Sequence, residues 1–224
     1  MLVHIPQLID QQQLDVIIPA ITNASFVDGK LSAGISAQKV KQNSEIEQNS
    51  EVAQNLAKIL IGNLYNNPSF RDAAFPLRIA TPLFAKYEKG KYYGSHIDDP
   101  VMGGDSQKFR CDIAMTIFLS DPKNYEGGEL CIQTQFGEQQ CKFRAGDLVL
   151  YPASSLHKVN EVTSGTRIVG VSWVQSMIRN PAQREILYDL SQARDQLNDK
   201  SESSVTKTLV EHSFNNLVRM WSEI

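Results

Sequence analysis

Cysteine is scarce in this chain: Cys111, Cys131 and Cys141 are the only three among 224 residues, and none sits in a CxxC pair. An odd count without close spacing excludes a disulfide framework and a thiolate zinc site, leaving reduced core or edge thiols in strand-like surroundings. Positive charge is not in excess either, with 22 Lys and Arg against 25 Asp and Glu, a net charge of −3. That balance supplies no basic stripe for a phosphate backbone, so nucleic acid is a disfavoured partner. Long apolar runs are missing too. The stretch 1–21 has no charged leader and is interrupted by His4, Pro6, Asp10 and Asp15. It reads as neither signal peptide nor membrane span, and the expected location is cytoplasmic. Internal repeats and low-complexity segments are also absent.

What is present suits one sizeable core with a small appendage, at 42% hydrophobic and 21% charged residues. Residues 7–21 have the pattern of a short amphipathic helix. A longer one carries Val52, Leu56, Ile59, Leu60 and Leu64 at helical spacing and ends at Asn66, Asn67 and Pro68. The polar, glycine-containing stretch 25–45 between them is expected to be extended or looped, near a substrate opening. From about residue 78 to 178 the chain changes to short alternating runs separated by turn signals, the pattern of a jelly-roll sandwich or barrel. Asn180 and Pro181 then make an N-cap and N1 pair for a helix with Ile186, Leu187, Leu190 and Leu197 on one face. After a polar break at 198–204, Ser204 is expected to cap a last helix with Val205, Leu209, Leu217 and Trp221 on its apolar side. The expected fold class is α+β, mainly β: a double-stranded β-helix (jelly-roll) core with N-terminal supporting helices and a C-terminal helical appendage. The expected division is 1–178, with the core at about 78–178, and 179–224. The terminal helices either pack on the sheet or make a homo-oligomer contact.

The chemistry-bearing residues are few. Of four histidines, His96 in GSHIDDP and His157 in PASSLHKV lie in the strand-rich half. In a strand, His96 and Asp98 at i and i+2 point to one face, with Ile97 and Asp99 opposite. Two imidazoles and one carboxylate on one side of a metal leave open positions, the set that suits Fe(II) oxygenases. An HxD pair alone is a common turn feature, and a lone histidine is usually a hydrogen-bonded structural residue. Their combination with Arg167, ten residues beyond His157, is more specific, because a guanidinium there could clamp the far carboxylate of a 2-oxo acid. Gly127 and Gly128 read most simply as a bulge or tight turn, with a substrate-facing edge as the alternative. Gly146 and Asp147 read as a hairpin turn, and Ser164 to Thr166 as a turn before Arg167.

The HxD, distal His and downstream Arg pattern resembles the Fe(II)- and 2-oxoglutarate-dependent dioxygenases, in their prolyl 4-hydroxylase-like branch. The segments TIFLSDPKNYEGGEL and FRAGDLVLYPASSLHKV extend the likeness. Beyond these, VDGK, TPLFAKY, SWVQSMIR and the closing WSEI resemble the bacterial PKHD-type hydroxylases associated with iron-uptake genes. The resemblance implies Fe(2+) held by His96, Asp98 and His157, with 2-oxoglutarate on Arg167 and O2 as the second co-substrate. Ascorbate would be a reductant for stray ferric iron. Tyr87 would either add a hydroxyl to the co-substrate site, as an early-strand tyrosine does in some relatives, or be a core or rim tyrosine. Phe118 stands where others have a tyrosine beside the distal carboxylate and cannot donate that hydrogen bond. Trp173 stands where nucleic-acid demethylases have a second arginine. The implied reaction is hydroxylation coupled to oxidative decarboxylation of 2-oxoglutarate. The prime substrate is open between a protein side chain, an amino acid and a siderophore-like small molecule. Two other readings stay in view: a cupin-like metal hydrolase or isomerase, and a noncatalytic iron-binding or protein-interaction module.

Overall fold

A computed structural model describes residues 1–104, 107–198 and 205–224. The chain begins with β1 (Val3–Ile5), α1 (Gln11–Thr22), β2 (Phe26–Asp28), α2 (Ile35–Gln38), β3 (Lys41–Gln42) and β4 (Ser44–Ile46). The helices α3 (Glu51–Asn66) and α4 (Pro68–Ala74) lead into β5 (Pro76–Ile79), β6 (Leu83–Glu88), β7 (Tyr92–His96), β8 (Val101–Met102) and β9 (Phe109–Arg110). Next come β10 (Ile113–Phe118), β11 (Tyr125–Gly127), β12 (Leu130–Thr134), β13 (Gly137–Cys141), β14 (Leu148–Pro152), β15 (His157–Val159) and β16 (Val162–Ser176). The helices α5 (Pro181–Asn198) and α6 (Val205–Trp221) close the chain.

The larger sheet runs β1-β14-β10-β16-β6-β4-β2, with β5 and β11 also on β16, and the smaller runs β13-β12-β15-β7-β3. All ladders are antiparallel, so each strand sends alternate side chains to opposite faces. On the outer face of the larger sheet, Ile113, Met115, Ile117, Leu148, Leu150 and Val174 pack with Leu14, Ile17 and Ile21 of α1 and Leu56, Leu60 and Leu64 of α3. On its inner face Tyr87, Ala114, Phe118, Tyr151 and Val169 meet Leu130, Ile132 and Val159 of the smaller sheet. Both faces of β10 are therefore covered, which is why its sequence is apolar at every position but Thr116. The jelly-roll sandwich expected from the strand spacing is the observed architecture.

Several local expectations shift. The first helix starts at Gln11 rather than residue 7, because the Asp10 carboxylate accepts from Gln13 N–H and the Gln13 side chain accepts from Asp10 N–H in return. Asn67 and Pro68 do end α3, but they also start α4, a seven-residue helix too short for a clear apolar period, with Asn67 Oδ1 accepting from Phe70 N–H at 2.9 Å. Asn180 caps α5 as expected, accepting from Ala182 N–H at 2.8 Å. Ile186 faces solvent at 51% exposure while Leu187 is fully buried, because successive helical residues are turned by about 100°. On α6 Phe214, Leu217, Val218 and Trp221 pack in the cluster around Phe75 and Ile178, and Val205 and Leu209 are exposed. Ser204 lies outside the described residues. Ser164, Gly165 and Thr166 form no turn; they belong to β16, where Ser164 and Gly165 pair with β11 and Thr166 with Glu88 of β6.

The paired glycines form a bulge, with a register shift between Glu126 and Gly127. Gly127 has φ +70°, and a Cβ there would come within 2.0 Å of the Glu161 carbonyl oxygen. Gly127→Ala should therefore cost at least ~2 kcal/mol, the left-handed penalty plus backbone displacement. Urea denaturation tests this, and an unchanged midpoint would contradict the packing described.

Candidate active site

His96 ends β7 and His157 begins β15, and the two are direct cross-strand partners. Asp98 lies just past the strand end, yet its carboxylate stays with the histidines: Oδ1 is 3.9 Å from His96 Nε2 and 3.8 Å from His157 Nε2. The three ligand atoms lie within 4.8 Å of one another, the right scale for one shared cation. Asp99, expected to face away, also lines the pocket, with its carboxylate over Gly34.

The surroundings of the triad fix its chemistry. His96 Nδ1 lies 2.8 Å from the Gly94 carbonyl oxygen and His157 Nδ1 3.0 Å from that of Ser155. A carbonyl only accepts, so each Nδ1 carries the proton and each Nε2 keeps a lone pair for a metal. Tyr93 stacks on the His96 ring at 3.7 Å, and Tyr151 packs edge-on against His157 at 5.1 Å. Burial, with His157 nearby, pushes His96 down to about 4, so it is neutral and able to ligate near pH 7. Burial also raises the Asp98 carboxyl above its ordinary range, against the opposing pull of His157. Asp98 Oδ2 has no hydrogen-bond partner, and the Trp173 indole N–H faces this carboxylate without bonding geometry. A buried carboxylate with an open oxygen beside two imidazole lone pairs is the donor set of a divalent cation.

Arg167 lies deep in the same pocket, 1% exposed. Its guanidinium stands 5.1 Å from the Tyr87 ring and 5.8 Å from the Phe118 ring. Nε and Nη1 have no hydrogen-bond partner, and no carboxylate among the described residues pairs with the group. An unpaired buried guanidinium is costly, and an entering carboxylate would relieve that cost. Tyr87 pairs with Arg167 across β6 and β16, and burial pushes its hydroxyl up to about 12 despite the Arg167 charge. Gly128 sits where a Cβ would come 3.1 Å from Arg167 Cδ, so the bulge also makes room for the arginine stem.

The sequence matches the 2OG-Fe(II) oxygenase superfamily over residues 82–175. It is 43% identical over 223 residues to a PKHD-type hydroxylase of Synechococcus elongatus, covering 100% of both chains. A PKHD-type hydroxylase of Thioalkalivibrio sulfidiphilus is 43% identical over 225 residues, again 100% of both. The chain is a member of the PKHD-type hydroxylase family. As such it is a 2-oxoglutarate-dependent dioxygenase that uses Fe(2+), with O2 and 2-oxoglutarate as co-substrates. A prolyl hydroxylase of Trichoplax adhaerens, solved with a hypoxia inducible factor peptide fragment, shares the fold at a TM-score of 0.56 and 15% identity, over 85% of this chain and 86% of its own. A Pseudomonas putida prolyl-4-hydroxylase gives 0.53 at 14% identity, over 78% and 92%.

The pocket of this PKHD-type hydroxylase lies between the two sheets and is lined from both. Its wall contains residues that sequence reasoning did not single out: Lys41, Asn43 and Glu45 from the stretch expected to border a substrate opening, together with Tyr93 and Tyr151. The three cysteines are buried and unpaired. Burial raises their thiols, Cys111 to about 12 and Cys131 and Cys141 to about 11, which keeps them out of nucleophilic chemistry. No described helix is long and apolar enough to cross a membrane.

Proposed function

We propose that His96 and His157, through Nε2, and Asp98, through a carboxylate oxygen, hold the Fe(II), and that Arg167 with Tyr87 binds the distal carboxylate of 2-oxoglutarate. The observation that carries this is one pocket containing both three converging ligand atoms and a buried guanidinium without a counter-ion. When bound, Fe(II) with 2-oxoglutarate and O2 supplies the oxidative decarboxylation that drives hydroxylation. The chain's own contribution is placement. The Gly94 and Ser155 carbonyls and the Tyr93 stack hold the imidazoles in one tautomer and orientation. Asp98 serves as an anionic ligand rather than a general base. Arg167 presents a planar fork to the carboxylate, and Tyr87 stands beside it to donate the hydroxyl hydrogen bond that Phe118 lacks.

A metal hydrolase has no use for a carboxylate clamp at the far end of the pocket, which favours the oxygenase over that alternative. Ascorbate as reductant and a link to iron uptake follow from the family likeness. Three unpaired cysteines favour a reducing, cytoplasmic setting. The test is anaerobic titration of the apoprotein with Fe(II) and then 2-oxoglutarate, following the visible charge-transfer band of the chelate. The band should form in the wild type and be lost in His96→Ala. Its absence at saturating ligand would remove the proposed site.

A further inference from the structure

The pocket has a second polar feature besides the triad and Arg167. Lys41, Asn43 and Glu45 occupy alternate positions where the chain passes from β3 in the smaller sheet to β4 in the larger, so their side chains share one face. That face lines the pocket, and the three residues are only 5%, 4% and 4% exposed. Lys41 Nζ donates to Glu45 Oε1 at 2.6 Å and to Ser32 Oγ at 2.8 Å. Two of its three N–H groups are thereby engaged, and the ionic charges cancel within the strip. Asn43 differs, because neither Nδ2 nor Oδ1 has a hydrogen-bond partner. Its amide faces the Tyr87 hydroxyl without reaching bonding geometry, and one hydroxyl can take only part of what an asparagine amide offers. A buried amide left open costs about 1–3 kcal/mol, so it calls for a physical reason.

We propose that this strip is the prime-substrate wall of the pocket, and that it takes a ligand with a neutral amide that hydrogen-bonds the Asn43 side-chain amide. The proposal rests on the Fe(II) and 2-oxoglutarate reading above and names the class of molecule presented to that site. Charge separates an amide from a zwitterion. Lys41 and Glu45 already neutralise each other, so a charged group placed against them would have to break their 2.6 Å contact or go without a partner from this strip. A neutral amide does neither and gives the unpartnered Asn43 amide a hydrogen bond. Leu83, Met102 and Val171 elsewhere on the pocket wall suit flanking hydrocarbon.

The test is ligand-observed saturation-transfer NMR on the full chain, with diamagnetic Zn(II) in place of iron, 2-oxoglutarate present, and N-acetyl-L-alanine methylamide or free L-alanine as probe. The blocked form should bind and free alanine should not. Asn43→Leu should weaken the blocked probe at least about tenfold more than it weakens 2-oxoglutarate, the scale of one buried hydrogen-bonded group. Gly29→Ala acts on the same amide from another segment, because its new Cβ would lie 1.9 Å from Asn43 Oδ1, and should show the same selectivity. The blocked trialanine binding more tightly than the single blocked residue would identify a peptide, and equal binding a small amide; both support the class. Free alanine binding as well as the blocked form would overturn the proposal, as would probe binding indifferent to both variants, or no probe binding while 2-oxoglutarate signals saturate. Absent 2-oxoglutarate signals would instead mark failure of the underlying reading, and this proposal would fall with it.

Discussion

Replacing Arg167 with methionine is expected to raise the 2-oxoglutarate concentration for half-saturation by about thirtyfold or more, since removing one partner of a buried charge pair costs ~2–5 kcal/mol. Methionine keeps an unbranched apolar stem against Tyr87 and Phe118 while removing the fork. It also removes a buried charge that has no counter-ion, so the co-substrate-free fold should be at least as stable as the wild type. Arg167→Lys should recover part of the affinity, because an ammonium supplies the charge but not two parallel donors. The discriminating ligand is a 2-oxo monoacid without the distal carboxylate. Its affinity should be the same in the wild type and Arg167→Met, and an equal loss for both acids would mean that Arg167 shapes the pocket without holding the carboxylate.

Asp98→Asn should reverse the order of stability between metal-free and metal-loaded protein. Without metal, Asp98 is a buried carboxylate with one unpartnered oxygen, and the amide removes that charge at nearly the same volume. The variant should then melt above the wild type. With metal at a thousandfold excess over the dissociation constant, linkage adds ~4 kcal/mol to the wild type. That corresponds to a rise of roughly 8–16 °C for a chain of this size. Asp98→Asn should gain little, having lost the anionic ligand. The pH dependence follows from the raised Asp98 pKa. A group with a raised folded pKa contributes stability that is present below its unfolded pKa and lost as pH rises through the folded one. The metal-free advantage of Asp98→Asn should therefore grow as pH rises above the ordinary 3.8. His96, depressed to about 4, acts in the opposite direction between that value and 6.5, so the comparison is read above 6.5, where the imidazole is neutral in both proteins. Calorimetry with and without metal checks both signs, and a variant less stable in each state would rule out this picture of Asp98.

The triad and Arg167 were legible because each sits in a short run whose strand alternation and spacing survive folding almost unchanged. The jelly roll was legible for the same reason: period two is a local property. Lys41, Asn43 and Glu45 were not. The same alternation was present in KVKQNSE, but polar residues on the inward face read as solvated loop, and only the pairing of β3 with β7 and β4 with β6 shows them buried. The partners of His96 and His157 were hidden because backbone carbonyls carry no sequence signal. The solvent-facing half of α6 escaped because amphipathic spacing marks a helical face without saying how far along the helix a partner extends.

The far end of the chain has a geometry of its own. Ile178, just past β16, forms a bridge with Ser222, and Glu223 N–H donates to the Met177 carbonyl at 2.8 Å. Measured from the sandwich, the appendage is a detour whose two ends are neighbours: the backbone leaves at Ile178 and comes back beside it at Ser222. Its fixed part is the return itself, where Phe214 and Leu187 cover Phe75 and Ile178 and would leave them wet if the detour were cut out.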